Sequence, residues 1–444
     1  MKKTIILIII IFTAGASLQA ADYTLEDCFS AALKNDYSIS ILKDELAKKL
    51  LDRKDAQSSF YPIISTAGSI QYKSEAPTLD LSTLGMPAGG TAELGTNFIY
   101  DFNISMNQMI FDGFSRKYTI LFSDNTLNQK RREKELKEDM IQQTILQLSY
   151  SYTMSKLNIE TLSTSMKRLD FNLNQIKLFI DQGFSSELDL LDIQSKLKEL
   201  EQQKLNLESG RRKILLQISE LTGISDLDTL TIPSKYLELL DPEKLGGLED
   251  KLEANGQLSL FEFSSRQIEL KKKIDEAAFY PSVSGTGALH YGLPGTNLTG
   301  AEWQFYFTAG LQIKLSLWEG GRRSSMLKRD DLSLNQNRKS RDYYIQTLYF
   351  DTMGKLDELI SLRDQRTEAL DIYNLKKKKY EIVGKLWKAG QKSTLDVLSS
   401  EQEFTESDIR EKSLRIKYLS LYQQILFNIN EPMWENNGEM IKDK

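Results

Sequence analysis

The stretch FYPIISTAGSIQY, residues 60–72, returns later in the chain as FYPSVSGTGALHY, residues 279–291. A second stretch, IFDGFSRK at 110–117, returns as LWEGGRRS at 317–324. The separation is 219 residues for the first pair (279 − 60) and 207 for the second (317 − 110), so the order is kept and one connecting loop is shorter in the second copy. Such self-similarity indicates a tandem duplication, and we expect both halves to form the same elements.

Each copy contains one segment with the alternation of a β-strand. Apolar residues occupy every second position from Phe98 to Met106, and from Asp101 onward polar residues fill the positions between them. The second copy alternates in the same way from Trp303 to Leu317, with Tyr306 as the only apolar residue on the polar face. A period of two over this length predicts strands with one apolar and one polar face.

A second strand and a connecting loop are predicted before each of these segments. The segments 63–73 and 282–292 carry Ser, Thr and Gly and are interpreted as the partner strands. Loops containing Pro or Gly, at 77–96 and 293–301, join the two strands of each copy. Each pair is therefore predicted to form a β-hairpin.

A helical segment leads into each hairpin. It runs from Leu25 to about Ser59 in the first copy and from about Gln257 to Ala278 in the second. Pro62 and Pro281 end these helices, because the residue before a proline is disfavoured in the α conformation.

Two long helices are predicted after each hairpin. Residues 114–182 contain neither Gly nor Pro, and one continuous helix of that length would extend roughly 100 Å. The second copy repeats the plan with 322–389 outgoing and 391–430 returning, before Pro432. The first return segment, 188–221, has a heptad stripe, which predicts that it packs along the outgoing helix as an antiparallel hairpin. All stripe positions except Lys204 and Arg211 are Leu or Ile: 190, 193, 197, 200, 204, 207, 211, 214, 218 and 221.

The first residues of the chain have the pattern of a secretory signal. Lys2 and Lys3 precede an apolar run at 5–12, and the Leu-Gln-Ala step at 18–20 resembles a signal-peptidase site. A membrane anchor is the alternative, but the run is much shorter than the ~20 residues that cross a bilayer. We therefore predict a cleaved signal peptide at residues 1–20.

Composition excludes several classes of site. The single cysteine, Cys28, cannot form an intramolecular disulfide and lacks a lipobox before it. With one His and one Cys, the chain has no residues for a His-rich metal site, an all-cysteine zinc site or a Cys–His nucleophile. The net charge is −5, or −7 without Lys2 and Lys3, and opposite charges are interspersed, so nucleic acid is not an expected partner. We predict no enzyme activity, no cofactor and no metal.

The strands fit either an outer-membrane barrel wall or a soluble sheet with one buried face. Strand number separates these interpretations: open edges cannot face lipid, and the smallest barrels need about eight strands. If the four predicted strands cross a membrane, several chains must share one barrel. The helices fit a hollow cylinder, or a solid coiled-coil bundle or fibre. The duplicated β-hairpin favours the cylinder, because a fibre needs no such hairpin between its helices.

One order of elements occurs twice: helix, Tyr-Pro, hairpin, Phe-Asp-Gly or Trp-Glu-Gly-Gly-Arg-Arg, long helix, Gly-x5-Asp and long helix. In this order the chain resembles the TolC-like outer-membrane efflux proteins over residues 22–432. The resemblance implies a mainly α fold with membrane β: tandem-duplicated long antiparallel α-helical hairpins and two β-hairpins, or four strands, per chain. Three such chains would form a trimeric α-barrel tunnel and a shared 12-stranded outer-membrane β-barrel.

The implied function is a passive exit duct in outer-membrane lipid with a periplasmic extension. Such a homotrimer would serve a tripartite efflux or type I secretion system by docking with a periplasmic adaptor (membrane fusion) protein and an inner-membrane transporter. The alternative function is a periplasmic or surface coiled-coil scaffold or adhesin without pore activity.

The tips of the helical hairpins are the candidate functional site. GFSSELDLLDIQS at 183–195 returns as GQKSTLDVLSSEQ at 390–402, and in both a Gly free to take positive φ ends the outgoing helix. The hydroxyl residues that follow can cap the return helix, and the acids favour its N-terminal dipole. Those hydroxyl residues are Ser185, Ser186, Ser393 and Thr394.

The resemblance adds a second role for these tips, as a periplasmic gate. Asp396 matches the first acid of a constricting ring, Lys392 its basic position, and Asp189 the acid that helps to receive the basic group. Trp387 matches an aromatic position before the second glycine. Ser399 replaces the second acid of the ring, so that carboxylate layer is missing or moved to Glu187 or Asp192. The small residues Gly183, Ser185, Gly390 and Ser393 are the candidate adaptor-docking positions.

Four domains follow from the repeat. They are a signal peptide at 1–20, a first outer-membrane efflux repeat at 21–235, a second repeat at 236–432 and a C-terminal tail at 433–444. The β-hairpins are placed at 63–112 and 282–319, and the long helical hairpins at 114–222 and 322–430.

Overall fold

The computed structural model describes residues 22–76, 78–80, 90–93, 96–296 and 302–434. The predicted signal peptide, parts of both hairpin loops and most of the C-terminal tail lie outside these residues. Contacts divide the chain into two compact units, each built from both repeats. The described part of the helical unit comprises 22–41, 135–256 and 345–434, and the sheet unit comprises the described residues of 42–134 and 257–344.

The elements alternate between hairpins of strands and hairpins of helices. The helices are α1 (Leu25–Asn35), α2 (Tyr37–Ser58), α3 (Ser115–Asp181), α4 (Glu187–Thr222), α5 (Leu248–Leu252), α6 (Leu258–Ala277), α7 (Arg322–Lys388) and α8 (Thr394–Asn428). The strands are β1 (Asp22–Thr24), β2 (Ile63–Tyr72), β3 (Thr78–Asp80), β4 (Thr91–Glu93), β5 (Phe98–Phe111), β6 (Thr229–Thr231), β7 (Ser282–Leu293) and β8 (Gln304–Lys314).

The long outgoing helices form as predicted. Both α3 and α7 have 67 residues, and α7 continues through Gly354 and Gly384. Among the described helices, none contains a stretch that is both long and apolar enough to span a membrane.

The segment predicted as one helix from Leu25 to about Ser59 is two helices, α1 and α2. Asp36 between them has an extended backbone, with φ −64° and ψ 124°. Its Oδ1 accepts hydrogen bonds from the backbone N–H groups of Ser38 at 2.7 Å and Ile39 at 3.2 Å. The prediction was wrong here because one carboxylate can cap a new helix within a sequence of otherwise helical character.

The sheet unit contains one four-stranded antiparallel sheet with the order β2-β5-β7-β8. All four strands were predicted, but β8 ends at Lys314 and not at Leu317. The reason is that Lys314 pairs with Ser282, the first residue of β7. Pro281 precedes Ser282 and has no N–H to extend the ladder. The described part of the 77–96 loop contains a small additional hairpin, formed by β3 and β4.

The two faces of this sheet differ in polarity, as the alternation predicted. The polar face carries a hydrogen-bonded cluster across three strands, in which the His290 ring lies between Asp101 (2.9 Å) and Thr308 (3.2 Å). The opposite face is apolar and exposed. Its members include Ile64, Ile70, Tyr72, Phe102, Ile104, Met106, Leu289, Phe305, Phe307, Leu311 and Ile313.

The helical unit has its own apolar interior. Ile193, Leu200 and Ile218 of the predicted heptad stripe are buried, and none of the ten stripe positions is exposed. The first two pack in a buried cluster with Leu169 and Ile176 of α3. The antiparallel α3–α4 hairpin therefore forms along the predicted face.

A second buried cluster joins the start of the chain to the linker between the repeats. The parallel pairing of β1 with β6 was not predicted from the sequence. Tyr150 on α3 fastens the linker, because its buried hydroxyl donates to the Tyr236 carbonyl at 2.8 Å. Burial raises the pKa of this hydroxyl far above its usual range, with a smaller contribution from Tyr236.

Candidate functional site at the helix-hairpin tips

The two chain reversals at the tips have the same backbone geometry. Gly183 and Gly390 adopt φ values of 74° and 72°, in the left-handed region that glycine favours. In each tip two backbone N–H groups return to carbonyls of the last helical turn, which is the Schellman arrangement. The bonds are Gly183 to Ile180 at 2.9 Å, Phe184 to Phe179 at 2.7 Å, Gly390 to Trp387 at 2.9 Å and Gln391 to Leu386 at 2.9 Å.

Each return helix then starts with a capping box. Ser186 Oγ accepts from the Asp189 N–H at 3.3 Å, and Asp189 Oδ2 accepts from the Ser186 N–H at 3.0 Å. Ser393 and Asp396 repeat this exchange at 3.1 and 3.0 Å. The repeated Gly-x5-Asp spacing is thus the spacing of a glycine turn followed by a serine cap and its reciprocal acid.

The caps yield a stability prediction. We expect Ser186→Ala and Ser393→Ala each to destabilise the first turn of its helix by about 1 kcal/mol, because one backbone N–H loses its acceptor. Faster hydrogen exchange at the start of α4 or α8 would report this loss. Ser185→Ala is the matched control, since its hydroxyl donates only to Asp189 Oδ2 at 3.0 Å and caps no N–H. Equal protection in Ser186→Ala and Ser185→Ala would contradict the assignment.

Both repeated carboxylates are charged at neutral pH. Burial raises the pKa of Asp189, but hydrogen bonds from the Ser186 backbone and the hydroxyls of Ser186, Thr394 and Ser185 outweigh it and hold the pKa below its usual range. The Ser393 N–H and hydroxyl, and then Lys392, lower the pKa of Asp396. Lys392 Nζ lies 3.6 Å from Asp396 Oδ1 in the same chain.

A pocket of about 550 Å³ lies between the two tips and brings most of the predicted site residues together. Asp189, Lys392 and Trp387 all line it. Trp387 is only 4% exposed, and its ring packs edge-on against Phe179 at 5.5 Å. The structure therefore places this tryptophan in the packed interior of the tip. The same pocket is lined by Ser185, Gly390 and Ser393 of the predicted docking positions, whereas Gly183 lies outside its lining.

A neighbouring groove contains the position where the second acid of the ring was expected. Ser399 and Asp192 line this groove together, with Lys196 between the same helices. Glu187, the other candidate replacement, is exposed and lies outside both linings. Of the two candidates, Asp192 is the carboxylate that shares a surface with Ser399.

No local pattern in the sequence predicts the buried charged cluster that lies between α3 and the second helical hairpin. Glu401 is 1% exposed, and its Oε1 accepts from Arg168 Nη2 at 2.6 Å and Ser165 Oγ at 2.7 Å. The Arg168 guanidinium also lies over the rings of Phe404 and Tyr380, at 4.7 and 5.7 Å. These partners are more than 200 residues apart in sequence, so only the fold brings them together.

No group of three or more His, Cys, Asp or Glu side chains among the described residues is arranged to hold a metal ion. The arrangement at the tips offers fixed carboxylates, a lysine and an aromatic-lined pocket, which are features of a charged contact surface.

Comparison of the sequence with protein-family models and with curated proteins found no match. Solved structures, in contrast, superpose over nearly the whole chain. The outer membrane protein VceC from Vibrio cholerae is 13% identical, with a TM-score of 0.74 over 92% of this chain and 96% of that chain. The open state of the Neisseria gonorrhoeae MtrE outer membrane channel is 13% identical, with a TM-score of 0.72 over 96% and 95%.

The Campylobacter jejuni CmeC outer membrane channel is 14% identical, with a TM-score of 0.71 over 92% of this chain and 85% of that chain. The chain has the fold of these outer-membrane channels. The resemblance found in the sequence is therefore confirmed at the level of the TolC-like fold, mainly helical with a small antiparallel sheet.

Proposed function

We propose that this protein is an outer-membrane exit duct, assembled from three copies of the chain. The observation that carries the proposal is the sheet of the sheet unit. It has an exposed apolar face, and within the described residues neither β2 nor β8 pairs along its outer edge. Unpaired backbone groups cannot face lipid, so a membrane-embedded sheet of this kind must close with other copies.

The strand order allows such closure. All neighbouring strands of the sheet are antiparallel, so β8 of one copy runs opposite to β2 of the next copy. Three copies give a 12-stranded barrel whose apolar face contacts lipid and whose polar face, with the His290 cluster, lines the lumen. The helical hairpins of the three copies form the α-barrel tunnel.

The tips form the gate and the docking surface of this duct. Asp189, Asp192 and Asp396 place carboxylates around the periplasmic opening of the duct, which we call the mouth. Lys392 offsets their mutual repulsion. Gly183, Ser185, Gly390 and Ser393 present small side chains to a periplasmic adaptor, which connects the duct to an inner-membrane transporter. In this proposal Trp387 supports the gate from inside the tip.

The assembly test is the mass and low-resolution outline of the detergent-extracted particle, together with recordings in planar bilayers. We expect three chains per particle and a conducting pore. A stable single copy in the soluble fraction would overturn the proposal. A membrane-extracted or surface assembly without pore activity would favour the scaffold or adhesin alternative.

The gate test is the double variant Lys392→Ala/Asp396→Ala. We expect a higher conductance or a weaker block by multivalent cations, because the mouth loses three carboxylates and the cations that hold them. Lys392→Ala/Asp396→Asn separates the charge effect from the cap, since an amide side chain can also cap a helix.

The matched control removes another pair of opposite charges from the same hairpins. Lys198 and Glu201 on α4 are 2.7 Å apart and exposed, and Lys198→Ala/Glu201→Ala should leave conductance and block unchanged. Gate variants that behave like this control would count against the gate assignment.

A further inference from the structure

The two turns that connect the sheet to the long helices carry the same arginine clasp. Arg116 Nε lies 2.9 Å from Asp112 Oδ2, and its guanidinium lies over the Phe60 ring at 4.6 Å. In the second repeat, Arg323 Nη2 lies 2.8 Å from Glu319 Oε1, and its guanidinium lies over a phenylalanine ring at 5.4 Å. Both carboxylates of this region are therefore neutralised within the protein.

Apolar side chains project into solvent around these clasps. Trp318 is 86% exposed, and Tyr61, Phe114, Tyr280 and Leu317 are also exposed. We call these five residues, with Lys117 and Arg322, the helical-end rim. The rim continues the exposed apolar face of the sheet toward the helices, through Ile64 on β2 and Ile313 on β8.

Cations are in excess at this end of the sheet. The segments 60–64, 110–118, 279–283 and 313–323 contain five basic and two acidic residues, and both acids are held in the clasps. Lys117 is exposed, and the Arg322 side chain is 73% exposed while its Nε contacts Glu319 at 3.0 Å. The rim thus offers two accessible cations beside aromatic rings.

The opposite end of the sheet has the reverse charge balance. Its aromatic cluster includes Tyr291 stacked on Phe305 at 4.4 Å. The sequence of the two connections, 73–97 and 294–303, contains one Lys, no Arg and four acidic residues. Aromatic side chains occur at both ends, but only the helical end combines them with excess cations.

We propose that the helical-end rim is a binding surface for anionic phospholipid headgroups. This inference rests on the proposed function, and it adds the lipid class and the leaflet to it. Trp318 and the neighbouring aromatics lie at the headgroup level, where amphipathic rings are stable. Lys117 and Arg322 donate to headgroup phosphates, and Arg is suited to bidentate contact with phosphate. The helical end therefore lies in the phospholipid leaflet next to the periplasm.

The test is native mass spectrometry of the full-length, detergent-extracted protein with defined lipids. Wild-type protein is expected to retain phosphatidylglycerol about tenfold better than phosphatidylcholine, because each cation near the headgroups favours anionic lipid. Lys117→Gln/Arg322→Gln should lose this preference. Inorganic phosphate at the same concentration should not displace the lipid, since it has no acyl chains to hold against the apolar rim.

The control variant is Lys198→Gln/Lys213→Gln, which removes two exposed cations from α4 and should keep the lipid preference. Equal retention of both lipids by wild-type protein, or an unchanged preference in Lys117→Gln/Arg322→Gln, would overturn the inference. Oligomeric mass and conductance are measured on the same preparations. Trimeric pores without a lipid preference would refute only the lipid-binding role of the rim, whereas the absence of trimers or pores would refute the proposed function.

Discussion

Glu401→Ala is expected to lower the free energy of unfolding of the helical unit by about 3 kcal/mol or more. The Glu401 Oε1 accepts four hydrogen bonds in a buried position, from Ser165, Thr405 and two nitrogens of Arg168. Removing the carboxylate leaves the arginine without its counter-ion between apolar rings. Breaking such a pair costs far more than breaking a surface pair, because the remaining Arg168 side chain is only 22% exposed and its charge is only partly resolvated.

Urea unfolding of the detergent-solubilised protein, followed by its helical circular dichroism, measures this loss. Glu403→Ala is the matched control two residues away on α8. Glu403 also has two cationic partners, Lys376 at 2.7 Å and Lys379 at 2.8 Å, but it is partly exposed. We expect a change below about 1 kcal/mol for this exposed pair.

A double replacement separates the charge effect from the packing effect. Arg168→Met/Glu401→Leu removes both charges and keeps apolar volume, so it should recover most of the stability that Glu401→Ala loses. If the double variant is as unstable as Glu401→Ala, packing and not the unpaired arginine is the cause.

Elements whose pattern continues over many residues were predictable from the sequence. The alternation from Phe98 to Met106 fixed the polarity of β5, and the absence of Gly and Pro from 114–182 indicated α3. In contrast, the break at Asp36 depends on one carboxylate, and β1 and β6 are three residues each. Such features depend on tertiary contacts that a local pattern does not contain.

In the candidate site, the features with a local spacing were predictable and the long-range contacts were not. The spacing of Gly183, Ser186 and Asp189 indicates a turn followed by a cap, and the structure has both. The partners Arg168 and Glu401 are 233 residues apart and carry no local signature. The burial of Trp387 was also not predictable, because an aromatic residue near a helix end fits either a packed interior or an open mouth.

The second large effect is expected at the turn between β5 and α3. Gly113 has a φ of 67°, and a Cβ atom added there would lie 2.6 Å from the Ala277 carbonyl oxygen and 2.9 Å from Tyr280 Cβ. Gly113→Ala therefore adds a backbone clash to the strain of a left-handed residue. We expect a loss of about 3 kcal/mol from the strain and the overpacking together.

Comparison with Gly320→Ala in the second repeat separates the steric part of this loss from the backbone strain. Gly320 has a φ of 60°, but a Cβ atom there would meet nothing within 4 Å. It should therefore cost only the backbone strain, about 1–2 kcal/mol. The duplicated chain thus supplies its own control, since the two glycines are 207 residues apart (320 − 113) at equivalent positions of the repeat. Urea unfolding of both variants tests the difference, and equal losses would show that α6 does not approach this turn as closely as 2.6 Å implies.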